Sequence, residues 1–266
     1  MQSIRLYLKS MRMLIKSQLE YPASFVMQTL AQLVMEGGEF LAVLLIVDRF
    51  GHLHQWTPGN LYFFFGMMSV SFYITELFGR GITGNFANLV RTGQLDSLFL
   101  RPRGILTQVL CSAVDPRRIT CIAVGVLALV MGSRMSQISW TVLKGLALLN
   151  AVICSIALIL GLFMIEAVFC IYSVKSIELV NALTYGGRSA CQYPVDIFPK
   201  PLRFLFTAVA PFALTLHVPG SYILGNPIFA LPDWAAFVSP LAGPCVFLVV
   251  YLFFRQALRH YRSTGS

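Results

Sequence analysis

Two glutamates, Glu36 and Glu39, sit in the middle of an apolar run that extends from 22 to 47. A carboxylate in hydrocarbon costs about 2.5–3.5 kcal/mol on insertion scales, which makes such residues rare and purposeful. Their spacing of three puts both on one helix face. Gly37 and Gly38 between them let another helix approach closely. Two readings of the pair stand side by side. One is a polar lining of a transport route, or a proton-sensitive site. The other is two acids hydrogen-bonded inside a helix bundle and neutralised by burial. A second constellation is Gly93-Gln94-Leu95-Asp96-Ser97-Leu98-Phe99-Leu100-Arg101-Pro102. It is acidic, then basic, and closed by proline. A docking element needs apolar knobs to insert, charges to fix orientation and a stiff link to the rest of the fold. Gly93, Leu95, Asp96, Leu98, Arg101 and Pro102 are the candidate positions, and a helix lying on a lipid surface is the alternative.

A third constellation lies at the N-terminus. On a helix, Ile4, Leu8, Met11, Ile15 and Leu19 form one stripe, and Arg5, Lys9, Arg12 and Lys16 form a second beside it. That pattern predicts an interfacial helix over 1–21, with its basic residues toward anionic headgroups. Residues 2–20 lack the uninterrupted apolar core of a signal peptide.

Catalytic signatures are missing. There is no Gly-x-x-x-x-Gly-Lys-Ser/Thr phosphate loop, no His-Glu-x-x-His and no Gly-x-Ser-x-Gly. The six cysteines include no Cys-x-x-Cys pair, so no metal site is expected and they read as small filler. The chain reads as a non-enzyme that binds no cofactor of its own.

The elements that must carry these residues are membrane helices. Hydrophobic residues make up 57% of the 266 and charged residues 12%, against about 25% charged in a soluble domain. A span needs ~20 apolar residues. Runs at about 22–47, 60–78, 119–133, 140–165 and 234–254 qualify or nearly so, and they predict one membrane domain over 1–266. The run 119–133 is short, so its helix is predicted to begin before Pro116 and kink there. Phe86, Leu89, Val90, Leu95 and Leu98 recur at helical spacing and predict one amphipathic helix over 79–103. Net charge is +9, which in a soluble chain would suggest nucleic acid. Here thirteen of the twenty Lys and Arg fall in the N-terminus, the 79–118 stretch and the C-terminal tail. The positive-inside rule puts all three in the cytoplasm, so both termini are inside and the span number is even. The basic surplus then means topology and anionic lipid, with no nucleic-acid partner.

Three segments together resemble the type-2 ABC transporter permeases: Gly93 to Pro102 with Gln108, Thr184-Tyr185-Gly186-Gly187-Arg188 leading to Gln192-Tyr193-Pro194, and Leu258 to Ser266. The resemblance implies an all-α membrane protein of six transmembrane helices. It adds an N-terminal interfacial helix, a cytoplasmic coupling helix in the 79–103 loop and an outer re-entrant hairpin over 194–225. It implies an export permease in a bacterial-type inner membrane; the aromatic and Met-rich spans suit an amphiphilic substrate (a drug, peptide or lipid-like molecule) and suit lipid-facing surfaces equally well. Two copies of a cytoplasmic ATPase, which hold the ATP and Mg, and a second permease, identical or related, would be its partners. Hydropathy alone prefers 202–224 as a straight span, whereas the resemblance makes 176–193 a short fifth span followed by the hairpin. An ion-gradient-driven transporter or channel using Glu36 and Glu39 is the alternative function.

Overall fold

The computed structural model describes residues 11–14, 16–18, 20–50, 56–172, 177–226 and 231–261. The long helices are α1 (Pro22–Phe50), α2 (Pro58–Arg80), α6 (Arg118–Met135), α7 (Val142–Tyr172), α8 (Ile177–Cys191) and α12 (Ala242–His260). Short pieces join them: α3 (Phe86–Arg91), α4 (Leu95–Phe99), α5 (Ile105–Leu110), α9 (Lys200–Phe204), α10 (Val218–Leu224) and α11 (Ala235–Val238). Among the described residues, four helical stretches are long and apolar enough to cross a membrane, and five if the bent stretch over 200–224 is one span. The four are Pro58–Arg91, Arg118–Met135, Val142–Tyr172 and Ala235–His260. Neither α1 nor α8 is among them. At ~1.5 Å per residue, the 15 residues of α8 reach ~22 Å, less than the ~30 Å hydrocarbon layer. The 29 residues of α1 reach ~43 Å but carry two glutamates in mid-course.

The centre of the bundle is α2, buried without interruption from Gly59 to Tyr73. Lipid tails are as apolar as leucine, so this burial is stabilised by close packing rather than by escape from water. Glycines make the packing possible. Gly59 and Gly66 on α2 face Gly125 and Gly132 on α6, each pair seven residues apart. A Cβ on Gly66 would lie 2.6 Å from Leu129 N, and one on Gly132 would lie 2.5 Å from Phe63 N. The two backbones therefore touch along a seam of heptad period. On the other flank, α12 meets α7 through Gly243, whose Cβ would lie 2.1 Å from the Cys154 carbonyl oxygen.

Two sequence expectations fail, for local reasons. The helix over 79–103 is not continuous. After α2 a π-helical turn (Gly81–Asn85) leads into α3, and the chain then reverses at Gly93, whose φ is 68°. Only glycine takes that conformation without strain. The apolar spacing across the break is satisfied by two short helices instead of one. Nor does the third long helix begin before Pro116: residues 111–117 are non-helical and α6 starts at Arg118. Proline drives the preceding residue out of the α region, and Asp115 uses the released geometry to bind Arg117.

The straight span over 202–224 is not found either. Lys200–Val209 and Ala213–Leu224 meet at 83°. Ala210 leaves helical geometry (φ −119°, ψ 85°) ahead of Pro211, as a residue before proline must. The bend is that of a broken span or of a re-entrant loop. Trp56 pins the same end of the molecule by donating its indole N–H to both carboxylate oxygens of Asp196, at 3.0 Å each.

The glycine seam makes a testable demand. Gly132→Val should lower stability by about 1–3 kcal/mol through overpacking. Gly145→Ala, at a position with nothing within 4 Å, should leave stability unchanged. Thermal unfolding in detergent measures both, and equal melting of the two variants would refute the seam.

Candidate functional site

The structure gathers Glu36, Glu39 and Arg188 into one cluster, built from three helix faces. On α1, Glu36 and Glu39 are one turn apart. On α2, Ser69 and Tyr73 are spaced four. On α8 and the turn that continues it, Arg188 and Gln192 are spaced four. Each spacing puts two side chains on the same face, and the three faces converge. Ser69 donates its hydroxyl to Glu36 Oε1 at 2.8 Å, and the Tyr73 hydroxyl donates to Glu36 Oε2. Arg188 Nη2 reaches Glu36 Oε2 at 2.6 Å and Glu39 Oε2 at 2.7 Å. Gln192 donates to Glu39 Oε2 at 3.0 Å. The Arg188 guanidinium also lies over the Tyr73 ring, 4.8 Å from its centroid, and near Phe72 at 5.3 Å. Glu36 is 1% exposed, while the Glu39 side chain is 40% exposed.

Sequence reasoning found the two acids and missed the base that binds them. The available signal was that an arginine near apolar sequence needs a countercharge, and Glu36 and Glu39 needed one too.

A second cluster sits where α2, α6 and the 111–117 loop meet, and the sequence reading did not single it out. Glu76, 1% exposed, has Arg80 Nη1 at 3.1 Å and Arg118 Nε at 3.1 Å. It accepts the Tyr185 hydroxyl at 3.0 Å. Asp115 binds Arg117 at 2.6 Å and lies 3.4 Å from Arg118. Gln32 of α1 accepts from Arg118 at 2.8 Å. Burial pushes the Asp115 carboxyl up. The bond from Arg117 and the charges of Arg117, Arg118 and Arg80 outweigh it, and its pKa falls below the usual carboxylate value. Glu166 on α7 is also buried, with Oε2 lacking a partner among the described residues.

The 93–102 segment forms a compact turn after Gly93. Leu95 is fully buried and Leu98 half-buried, so both pack inward. Leu100 is 87% exposed and Phe99 45%. Asp96 is half-buried, and Arg101 and Pro102 are exposed. Gln108 on α5 ties the turn down by donating to the carbonyls of Leu98 at 3.1 Å and Arg103 at 2.9 Å. Phe99 stacks on Tyr261 beyond the end of α12, with centroids 5.9 Å apart. Arg12 and Lys16 lie exposed on a helical stretch. Arg5 and Lys9 lie outside the described residues.

The sequence profile described as ABC-2 family transporter protein matches residues 33–265. The chain belongs to the ABC-2 transporter family. No individually curated protein matches it. As an ABC-2 member with several membrane-crossing helices, it is a multi-pass membrane permease. Such permeases are the membrane subunits of ABC transporters and work in general with an ATPase partner.

Within this ABC-2 permease, removing one member of a buried ion pair leaves the other charge uncompensated, which costs about 3–5 kcal/mol. Arg188→Leu should fall in that range. Glu39→Gln should cost far less, because the side chain is partly exposed and the amide still accepts from Gln192. Melting temperatures of the purified variants rank them, and an Arg188→Leu protein as stable as the parent contradicts the cluster.

Asp115 adds a pH dependence. Its folded-state pKa is depressed, so its contribution is complete above the unfolded value of 3.8 and is lost as pH falls through the folded value. Asp115→Asn should therefore lower stability at neutral pH and flatten its decline in acid. Melting curves across the acid range read the slope, and parallel curves for both proteins would exclude the effect.

Proposed function

We propose that the chain is the membrane subunit of an ATP-driven exporter. It moves an amphiphilic substrate (a drug, peptide or lipid-like molecule) out of the cytoplasm by alternating access. In this reading the six spans are α1, α2, α6, α7, α8 and α12. The bent stretch over 200–224 re-enters from the outer side, where non-helical backbone is tolerated because protein buries it. Both termini and the α3–α5 region face the cytoplasm. A second permease, identical or related, completes the route, and two copies of a separate ATPase bind ATP and Mg beneath. The work of this chain is mechanical: two conformations differ in their contacts, and the partner's cycle biases one over the other.

The observation that supports this best is the form of the 93–102 turn. Its inner side is anchored by Leu95, Leu98 and Gln108, so force on the turn reaches α5. Its outer side offers Leu100, 87% exposed, beside Phe99, which stacks on Tyr261. Asp96, Arg101 and Pro102 fix the orientation around them. The ion-driven alternative would use Glu36 and Glu39 as a coupling site. Both carboxylates share Arg188, which favours a structural clamp over a vacant ion site.

Leu100→Asp tests the docking reading. It should leave the fold intact and weaken ATPase binding by about tenfold or more, roughly 1.4 kcal/mol, as expected of an interface anchor. Leu95→Asp buries a charge and should instead destabilise the chain itself. Pull-down of the ATPase together with transport in proteoliposomes decides the matter. Undiminished binding by Leu100→Asp, or transport by the chain without ATP or partner, would overturn the proposal.

A further inference from the structure

The 93–102 turn stands over a hollow. Leu89, Leu98, Arg103, Gln108, Cys111 and Ser112 line an open space of about 510 Å³ beneath it, so close packing does not by itself fix its pose. One end leaves α3 through Gly93 in the left-handed region. The other is tied by Gln108 to the Leu98 and Arg103 carbonyls. The helix between, α4, has a separate hold. Asp96 and Phe99 are three apart on it and share a face, and both meet Tyr261. Phe99 stacks on the Tyr261 ring, centroids 5.9 Å apart and planes within 16°, a favourable aromatic geometry. The Tyr261 hydroxyl faces the Asp96 carboxylate. Tyr261 is itself well anchored. It is the first residue past α12, where the backbone leaves helical geometry (φ −59°, ψ 130°), and it packs against the main hydrophobic core. Two turns back along α12, Phe254 packs on Phe86 of α3, with centroids 5.8 Å apart. The end of α12 is thus fixed against the start of the same loop whose tip it grips.

On the docking role proposed above for the turn, we infer that Tyr261 is its positioning residue. Through Phe99 and Asp96 it sets the pose in which Leu100 meets the ATPase, and it joins the turn to α12 as Gln108 joins it to α5. The physical reason is the ordering cost of association. A turn that must be immobilised on binding loses affinity by that amount, and a turn already clamped does not. A rigid ring supported by the core is a suitable clamp over a hollow, because it restrains the turn from the side without filling the space beneath. The turn then acts on two helices. One contact leads to α5, and the other leads to α12, which at its far end meets the α7 backbone through Gly243.

The test is hydrogen exchange of the full chain in detergent, read by mass spectrometry, which separates opening of the turn from opening of the bundle. The amides of Asp96, Ser97 and Arg101 are bonded within the turn and so have protection to lose. Tyr261→Ala should speed exchange over 94–101 about fivefold, the worth of one stacked aromatic pair, and leave α2 and α6 unchanged. Tyr261→Phe keeps the ring and should stay within about twofold of the parent. Phe99→Leu with Tyr261→Ala should open the turn no further than either alone, since both break one contact. A residue that merely filled the core would lower the melting temperature and add its effect to that of Phe99→Leu. Tyr261→Ala should also weaken pull-down of the ATPase that co-purifies with the parent chain severalfold, although Leu100 is untouched. Unchanged exchange over 94–101, equal acceleration in α2 and α6, or additive effects of the two substitutions would overturn the inference. Undiminished ATPase binding by Tyr261→Ala where Leu100→Asp weakens it would overturn it too and leave the docking reading standing. Undiminished binding by both variants would sink the docking reading and this inference with it. The exchange measurements need no ATPase, so they judge the clamp apart from the docking.

Discussion

A buried charge must find its opposite, and in this protein Arg188 meets Glu36 and Glu39. Along α1, the only buried side chains among the described residues are Glu36 and Val43. Val26, Met27, Leu30, Val34, Met35 and Leu41 are all more than half exposed. The most polar residue of the helix is thus its deepest anchor. In the proposed six-span reading, packing alone does little to hold α1 in hydrocarbon, because its apolar face gains nothing by leaving lipid for protein. The ion cluster gives it a specific seat against α2 and α8, and it does the same for α8, which at 15 residues is short for a span. The desolvation cost of three charges is offset only because every oxygen in contact has a donor. Ser69, Tyr73 and Gln192 complete the set.

The rest of the bundle is joined differently. Between α2 and α6, and between α7 and α12, glycines bring backbones into contact, and the energy is dispersion over a long seam. Such a seam has one good register and resists sliding. The polar joints at Arg188 and at Glu76 with Arg118 depend on a few directed bonds, whose partners can be exchanged without opening a void. Two kinds of joint in one bundle divide it into stiff pairs and addressable contacts. The 93–102 turn is attached to a stiff pair, since α2 runs through the π-helical turn into α3.

Much of this was legible in the sequence. Glu36 and Glu39 stood out because a carboxylate inside an apolar run is costly whatever the surroundings. The four strongest spans followed from length and hydropathy. The missed features share a cause: they depend on pairings across long stretches of chain. Arg188 is about 150 residues from Glu36, and hydropathy treats it as evidence for a loop. Glu76 lies inside a strongly apolar helix and needs Arg118 from the next one. The false continuity over 79–103 arose because apolar spacing survives a left-handed glycine. The false start before Pro116 arose because a short apolar run was lengthened in the wrong direction, when α6 gains its length toward Met135.

The bend over 200–224 shows how local chemistry and the membrane divide the decision. Pro211 removes a backbone donor and forces Ala210 out of the helix, so the sequence alone breaks this stretch. A break in open hydrocarbon would leave polar backbone groups bare. Here the groups are covered by the protein: Ala210, Phe212, Ala213, Leu216 and His217 are all fully or almost fully buried, and His217 Nε2 lies 3.0 Å from the Cys191 carbonyl oxygen at the end of α8. The Ser239 hydroxyl reaches back to the Leu214 carbonyl at 2.9 Å. The same apolar composition that makes 202–224 look like a span to a hydropathy window is therefore what lets it pack as an interior elbow. The window reads burial, and burial in protein and burial in lipid give it the same signal.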